Sequence, residues 1–309
     1  MELRHLRYFL AVGEALNFTK AAAKLRVAQP SLSRQVQDLE DEIGVDLLRR
    51  SPRGVTLTAE GKLFLGEVRE LLKHADESVE KVRALARGEY GELHVGYVTV
   101  PTVEILPPAL AAFQKVVPRV KMLLHDLSSD GLIAGLHNAT LELAVMVKPT
   151  GEQATGIEFE PLRSYPWCVA LHAAHPFARL KSIALEKVAG QPLVVFRRKD
   201  YSEYHRFLDR IFAPISAKPR IAVECDSASS LIIEVEAGHG ILLAATIFKL
   251  IAGKRLLYRP LTGTTEALSV GIARATKGDV TPAGEKFCEI LRKTSGTATA
   301  TKPKPARFV

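Results

Sequence analysis

The hydrophobic pattern of the first 58 residues predicts three short helices. In the first helix one face is apolar and consists of Leu3, Leu6, Phe9, Leu10 and Val12. A polar break follows at 14–17, after which Thr19 can cap a second helix over the run KAAAKL, which contains good helix formers. The spacing therefore places two helices before residue 26.

A third helix begins near Pro30, because proline is favoured in the first turn of a helix. Its apolar residues recur at spacings of 4, 3 and 4, which predicts one buried stripe made of Leu32, Val36, Leu39 and Ile43. Gly44 suits the left-handed residue that ends a helix. Two short extended runs then flank the turn sequence at 51–54, so we expect a small β-hairpin, here called the wing.

A long helix is predicted from the Thr-Ala-Glu-Gly sequence at 58–61 to about Arg87. Its apolar residues follow steps of three and four: Phe64, Val68, Leu71, Ala75, Val79, Val82 and Ala86. A stripe of this length on a helix leaving a small domain needs a partner, and a second copy of the chain is the simplest one. The alternative is that the helix packs on the chain's own C-terminal domain.

Residues 91–295 alternate short apolar runs with helical patterns, which predicts parallel sheets with right-handed crossovers. A break in the pattern suggests two subdomains, with the chain crossing near 162 and returning near 264. We therefore expect an α/β protein with a winged helix-turn-helix and a long linker helix. The predicted parts are an N-terminal domain 1–58, a linker 59–88, a C-terminal α/β domain 89–293 (subdomain I about 91–162 and 264–293, subdomain II about 163–263) and a disordered tail 294–309.

Composition adds a basic balance to this picture. The 309 residues contain 42 Lys and Arg against 34 Asp and Glu, a net charge of +8, which suits a polyanionic partner without proving one. The three cysteines are far apart and read as reduced, buried thiols. Neither the N-terminal segment nor any later one has the roughly 18 apolar residues of a membrane span, so we expect a cytoplasmic protein.

A helix, a short turn and a helix that begins after Gln-Pro form a helix-turn-helix pattern. With its apolar stripe buried, the third helix presents Ser31, Arg34 and Gln35, whose donors and acceptors suit base edges in the major groove. Ala28 and Pro30 can contact thymine methyl groups, and basic residues of the second helix and the wing suit phosphates or the minor groove. The complete predicted DNA-binding set is Thr19, Lys20, Ala28, Gln29, Pro30, Ser31, Ser33, Arg34, Gln35, Arg49, Arg50 and Arg53.

Residues 1–61 resemble the DNA-binding domain of the LysR-type transcriptional regulators. The strings that carry the resemblance are LRYFLAV, FTKAAAKLRVAQPSLSRQVQDLEDEIGVDLLRR and GVTLTAEG. Further along, LHAAHPFA at 171–178 and VEAGHGILLA at 235–244 are also similar to the family. The resemblance implies a sensor of two subdomains like those of periplasmic binding proteins. It also implies a homodimer through the linker helix and a homotetramer on bent operator DNA. The other partners that it implies are a small-molecule effector and RNA polymerase.

Ligands of such α/β sheets bind at the carboxyl ends of strands and at the starts of helices. The positions that qualify here, together with side chains expected from the facing subdomain, are Thr99, Val100, Thr102, Ser128, Ser129, Lys148, Phe196 and Tyr204. In regulators of aromatic-compound catabolism, the hydroxyl-bearing helix start holds an effector carboxylate, and Ser129 falls on that position. The resemblance thus implies an organic-acid effector, although Val100 and Pro101 replace the serine that relatives have after the first strand. The alternative for Ser128 and Ser129 is simple helix capping.

Catalysis is the main rival class of function. His172 and His175 form HAAH without the acidic partner of a zinc site, and the chain has no GxSxG, Walker or complete GxGxxG motif. Asp226 and Ser227 stand at a strand-to-helix junction, where capping is the simpler role. We therefore expect no enzyme activity, cofactor or metal. Two non-enzymatic alternatives are a binding protein without DNA function, which the first 58 residues oppose, and an architectural DNA-binding protein, which would show little sequence preference.

Overall fold

The computed structural model describes residues 1–51, 54–215 and 219–296. It divides into two compact units, Met1–Ala84 and the unit that begins at Leu85. The elements of the first unit are α1 (Leu3–Ala15), α2 (Phe18–Leu25), α3 (Gln29–Ile43), β1 (Leu48–Ser51), β2 (Gly54–Leu57) and the larger part of α4 (Ala59–Ala86). The β1–β2 pair is antiparallel, which confirms the predicted wing.

The first unit packs its three short helices around a single apolar core. Leu32, Val36 and Leu39 of α3 are fully buried, as the spacing predicted, whereas Ile43 is only half-buried. Gly44 ends α3 with φ of +82°, a conformation open to glycine. One detail of the prediction is wrong: Asn17, not Thr19, caps α2, because its side chain accepts a hydrogen bond from the Lys20 N–H at 2.9 Å.

Helix α4 starts at a tight junction with the wing. The Thr58 hydroxyl accepts the N–H of Gly61 at 2.8 Å and donates to the backbone oxygen of Asp46 at 2.8 Å. A Cβ atom on Gly61 would stand 1.9 Å from the carbonyl oxygen of Leu47, so only glycine fits there. These contacts explain the Thr-Ala-Glu-Gly sequence as a cap together with a close backbone approach.

The second unit alternates strands and helices. Its first half contains β3 (Gly91–Tyr97), α5 (Thr99–Thr102), α6 (Leu106–Val116), β4 (Val120–Asp126), α7 (Ser129–His137), β5 (Leu143–Val147) and β6 (Ile157–Leu171). Its second half contains β7 (Ile183–Ala184), α8 (Leu185–Ala189), β8 (Pro192–Phe196), α9 (Ser202–Phe212), β9 (Arg220–Cys225), α10 (Ala228–Glu236), β10 (Leu242–Ala245), α11 (Lys249–Ala252), β11 (Leu257–Thr262), β12 (Ala267–Ala275) and α12 (Pro282–Gly296).

The main sheet has the order β4-β3-β5-β12-β6-β11-β7, with β10 also paired to β6. Strands β3, β4 and β5 are parallel, but β12 is antiparallel to both β5 and β6. The expectation of parallel sheets throughout is therefore wrong. The physical reason is topological, because β6 carries the chain into subdomain II, β12 brings it back, and two such segments side by side run in opposite directions.

The end of the chain also differs from the prediction. Helix α12 continues to Gly296, so the first three residues of the predicted tail 294–309 are helical, and the remainder of that tail lies outside the described residues. Phe287 of α12 packs edge-on against Phe113 of α6 at 5.2 Å between ring centroids. No helix in the described ranges is both long and apolar enough to cross a lipid bilayer.

Candidate functional site

Helix α3 presents a polar face opposite its buried stripe. Of the residues predicted to contact DNA, most are exposed and two are half-buried. The exposed ones are Thr19, Lys20, Ala28, Gln29, Pro30, Ser31, Arg34, Arg49 and Arg50, and the half-buried ones are Ser33 and Gln35. Arg53 lies outside the described residues. Helices α2 and α3 and the wing therefore all expose residues of the predicted DNA-binding set.

Arg50 differs from the other basic residues of this surface because its guanidinium is already engaged. It donates to Ser33 Oγ at 3.2 Å, to Gln37 Oε1 at 2.9 Å and to Glu40 Oε2 at 3.3 Å. It also stands over the Phe18 ring, 5.2 Å from the centroid. Arg50 thus holds the wing against α3, a positioning role that the sequence pattern did not separate from DNA contact.

Glu40 completes this connection from inside the fold. Its side chain is only 3% exposed, and Oε1 accepts the backbone N–H groups of Leu47 at 2.8 Å and Leu48 at 2.9 Å. A buried carboxylate needs such partners, since an unpaired charge in the interior is strongly unfavourable. Glu40 therefore fixes the start of β1 relative to α3, the second helix of the helix-turn-helix, here called the recognition helix.

Arg34 and Arg49 remain available for an external partner. Neither guanidinium forms a hydrogen bond or an ion pair with another residue in the ranges that the structure describes. Gln35 makes only a long 3.4 Å contact, from Nε2 to Asp38 Oδ2. Direct recognition of base edges requires hydrogen-bond donors that are exposed on a rigid helix, as these side chains are.

The apolar stripe of α4 is buried at one end and exposed along the rest of the helix. Val68 is buried in the core of the first unit, and Phe64 is half-buried against it. Leu71, Val79 and Val82 are instead 45%, 50% and 68% exposed. The stripe expected from the sequence is therefore buried near its start, where it packs on the core of the first unit, and largely exposed from Leu71 onward, because steps of three and four residues keep side chains on one face but do not show what covers that face.

In the second unit, two adjoining cavities of about 150 and 260 Å³ lie between the subdomains. The smaller one is lined mainly by apolar and aromatic side chains, and the larger one by more polar groups. Five predicted effector contacts line them: Thr99, Val100, Phe196, Tyr204 and Lys148, the last in the larger cavity. The carboxyl ends of β3 and β5 thus contribute to the site, as parallel strands are expected to do.

Three predicted effector contacts do not line either cavity. Thr102 is buried and its hydroxyl donates to the backbone oxygen of Val98 at 2.7 Å. Ser128 caps α7 by accepting the Gly131 N–H at 3.2 Å. Ser129 is 1% exposed and its hydroxyl donates to Glu203 Oε1 at 2.6 Å. For these three residues, internal hydrogen bonds take the place of the expected ligand.

Glu203 is the residue that sequence reasoning missed. It lies in the first turn of α9, where an acid is favoured by the helix dipole, so its position carried no functional signal. Burial raises the pKa of Glu203 to about 6, against the opposing effect of the Ser129 hydrogen bond, with Asp130 raising it and Arg206 lowering it. Its second oxygen, Oε2, is buried and has no hydrogen-bond partner among the described residues.

Further polar contacts join α9 of subdomain II to elements of subdomain I. Ser202 Oγ donates to Asp130 Oδ1 at 3.1 Å and accepts from Gln153 Nε2 at 2.6 Å. Arg206 Nε donates to Thr150 Oγ1 at 3.1 Å. The two subdomains are therefore connected along one side of the cavities by hydrogen bonds that a change of closure would have to rearrange.

The rival catalytic residues have structural partners. The Nδ1 atoms of His172 and His175 accept the backbone N–H groups of Ala174 at 3.2 Å and Phe177 at 3.1 Å. Ser227 caps α10 by accepting the Ser230 N–H at 3.2 Å, which confirms the capping interpretation. These hydrogen bonds give both motifs a structural role that requires no catalytic function.

Comparison with known proteins gives matches along nearly the whole chain. The model described as "Bacterial regulatory helix-turn-helix protein, lysR family" matches residues 3–62, and "LysR substrate binding domain" matches residues 86–296. The chain is 33% identical over 261 residues to the HTH-type transcriptional regulator AlsR of Bacillus subtilis (strain 168), covering 84% of this chain and 86% of that protein.

A second curated relative is the Hca operon transcriptional activator HcaR of Escherichia coli (strain K12). It is 31% identical over 300 residues, covering 97% of this chain and 100% of HcaR. Among solved structures, full-length CbnR complexed with its target DNA aligns with a TM-score of 0.79 at 29% identity. That alignment covers 96% of this chain and 100% of that one.

Proposed function

Because this chain belongs to the LysR family of transcriptional regulators, we propose that it reads operator DNA with α3 and the wing. As a member of that family the protein is a regulator rather than an enzyme. The observation that carries the residue assignment is the exposed face of α3, where Arg34 has no internal partner among the described residues. An arginine in that setting can donate two hydrogen bonds to a guanine in the major groove.

The surrounding residues divide into three roles in this proposal. Ser31, Gln35 and Arg34 face base edges, with Ala28, Gln29 and Pro30 at the start of α3 beside them. Thr19, Lys20, Ser33 and Arg49 contact phosphates, which fix register without reading sequence. Arg50 supports the wing through Glu40 and adds positive charge to the same surface.

We further propose that α4 pairs with a second copy of this chain. The exposed face with Leu71, Val79 and Val82 is apolar over three turns, and apolar faces of this kind are buried in coiled-coil contacts. A dimer would present two recognition helices to two half-sites one helical turn or more apart. Additional contacts between sensor domains would make the homotetramer, and the DNA-bound assembly is then expected to contact RNA polymerase.

The sensor is proposed to bind a small molecule in the two cavities between its subdomains. Ligand binding there can change DNA binding only as far as the ligand prefers one state of closure, typically about 1–3 kcal/mol. An organic acid, the class predicted from the sequence, would place its carboxylate at Ser129. That carboxylate would have to displace Glu203, whose own carboxyl group already accepts the hydrogen bond of the Ser129 hydroxyl.

The DNA-binding proposal is tested by selecting duplexes from a random pool with the full chain and measuring the affinity of Arg34→Ala. We expect a loss of roughly 5- to 150-fold on the selected duplex, equal to about 1–3 kcal/mol, and relaxed preference at one base pair. Arg220→Ala, which removes one exposed arginine from the sensor, is the control for net charge. Wild-type affinity in Arg34→Ala would show that the recognition face has been assigned wrongly.

A further inference from the structure

We propose that the small molecule taken by this sensor is an organic cation, a protonated amine on a one-ring apolar body, with its charge beside Glu203 and Asp126. This inference rests on the proposed function, since it names the ligand class of the cavity already described. It departs from the organic-acid prediction because of what lines the smaller cavity.

The walls of that cavity are rich in aromatic rings, namely Trp167, Phe196, Tyr201, Tyr204 and Phe248. The Phe196 and Tyr201 rings are 4.3 Å apart, and the Trp167 ring is stacked on Phe207 at 3.9 Å, so the walls support one another. A cavity of about 150 Å³ is large enough for benzene. Aromatic walls also attract cations through the negative faces of the rings.

The charges around the cavity have one sign. Glu203 and Asp126 both line it, whereas none of the described residues lining it is Lys, Arg or His. Tyr201 reports the same potential, because burial and the carboxylates of Asp126, Glu203, Asp200 and Asp226 raise its pKa to about 12. A ligand carboxylate in this space would be repelled, and an ammonium group would be attracted.

Glu203 supplies a specific anchor as well as charge. Its Oε1 accepts the Ser129 hydroxyl, but its buried Oε2 has no hydrogen-bond partner among the described residues. Leaving a buried carboxylate oxygen unpaired is unfavourable, so a donor from the ligand would satisfy it. Asp126 has less need of a hydrogen-bond donor from the ligand, because its Oδ2 already accepts the Thr99 hydroxyl at 2.5 Å.

The cations near the site line the larger cavity, which Glu203 also lines, or lie beside Glu203 on α9, and the arginines among them have partners of their own. Lys148 and Arg210 line the larger cavity. The Arg210 guanidinium is paired with Glu266, to which its Nε and Nη2 atoms donate hydrogen bonds of 2.8 and 2.6 Å. Arg206 is bonded to Thr150 and Gln153. The amine end of a ligand would therefore meet Glu203 and Asp126 first, with any extension directed into the larger cavity.

The test is calorimetric titration of the full chain with three probes of similar size: 2-phenylethylamine, 2-phenylethanol and phenylacetate. We expect the amine to bind at least roughly tenfold more tightly than the alcohol, and phenylacetate more weakly than either. Glu203→Gln keeps the acceptor for Ser129 but removes the charge, so it should weaken amine binding by at least roughly tenfold and leave the alcohol unchanged. Glu186→Gln, an exposed acid on α8, is the matched control.

Three results would overturn the inference: tighter binding of phenylacetate than of the amine, equal amine affinity in wild type and Glu203→Gln, or no saturable amine binding. Circular dichroism and thermal unfolding establish that the variant is folded. Binding of wild type to its selected duplex is measured on the same preparation. Loss of the amine result with intact DNA binding refutes only the ligand class, whereas failure to select any duplex refutes the proposed function itself.

Discussion

Removing the buried carboxylate of Glu40 should release the wing from the recognition helix. In the wild type this group accepts two backbone N–H groups, at 2.8 and 2.9 Å, and pairs with Arg50 at 3.3 Å. Hydrogen bonds to a charged group contribute about 1.5–3 kcal/mol each, so the two backbone N–H groups account for about 3–5 kcal/mol, and the partly exposed Arg50 adds at most about 1 kcal/mol. For Glu40→Ala we therefore expect a loss of about 3–5 kcal/mol in local stability at the start of β1.

Amide hydrogen exchange measures this loss directly. The N–H groups of Leu47 and Leu48 should exchange at least roughly a hundredfold faster in Glu40→Ala, since each 1.4 kcal/mol is about a factor of ten. Glu40→Gln retains one acceptor oxygen and should give an intermediate effect. Glu42→Gln removes an exposed carboxylate from the same helix and should change exchange at these amides very little, because exposed ion pairs contribute at most about 1 kcal/mol.

The accompanying prediction is that Glu40→Ala weakens binding to the selected duplex, because Arg49 and Arg50 lose their fixed position on the wing. Unchanged exchange at Leu47 and Leu48 would refute the reasoning, since it would mean that these amides are protected without the carboxylate. Faster exchange with unchanged DNA affinity would instead separate the stability of the wing from its contribution to binding.

Three further predictions concern α4 and the sensor. Gly61→Ala should destabilise the first unit by about 1–3 kcal/mol in thermal unfolding, because the added Cβ would stand 1.9 Å from the Leu47 carbonyl oxygen. The control Gly66→Ala has open space around the added Cβ and should be neutral or stabilising. Val82→Glu should shift sedimentation toward the monomer while the control Lys81→Ala does not; equal behaviour of the two would exclude this face as the dimer contact. Because burial raises the Glu203 pKa from its ordinary value of 4.5 to about 6, its contribution to stability is present below about pH 4.5 and lost as pH rises through about 6. Glu203→Gln should therefore gain about 2 kcal/mol relative to wild type across that interval in unfolding measurements, and a constant difference would contradict the raised pKa.

Local pattern was sufficient to predict the first unit because its determinants are local. Proline at a helix start, glycine at a helix end, and apolar residues every three or four positions all act within one or two turns. The buried stripe of α3 determines which residues face outward, so Ser31 and Arg34 could be placed on the exposed face from spacing alone. The alternation of strands and helices in the sensor was predictable for the same reason.

Tertiary structure alone decided the contacts between residues distant in sequence. Spacing could not show that the antiparallel β12 lies between β5 and β6, since strand order depends on where the chain crosses and returns. Nor could it show which part of the apolar stripe of α4 is buried and which part is exposed. The pairing of Ser129 with Glu203 spans 74 positions, and it turned an expected ligand contact into an internal one. The carboxyl group that changes the expected ligand class is recognisable only by its burial and its missing partner, which are properties of packing rather than of sequence.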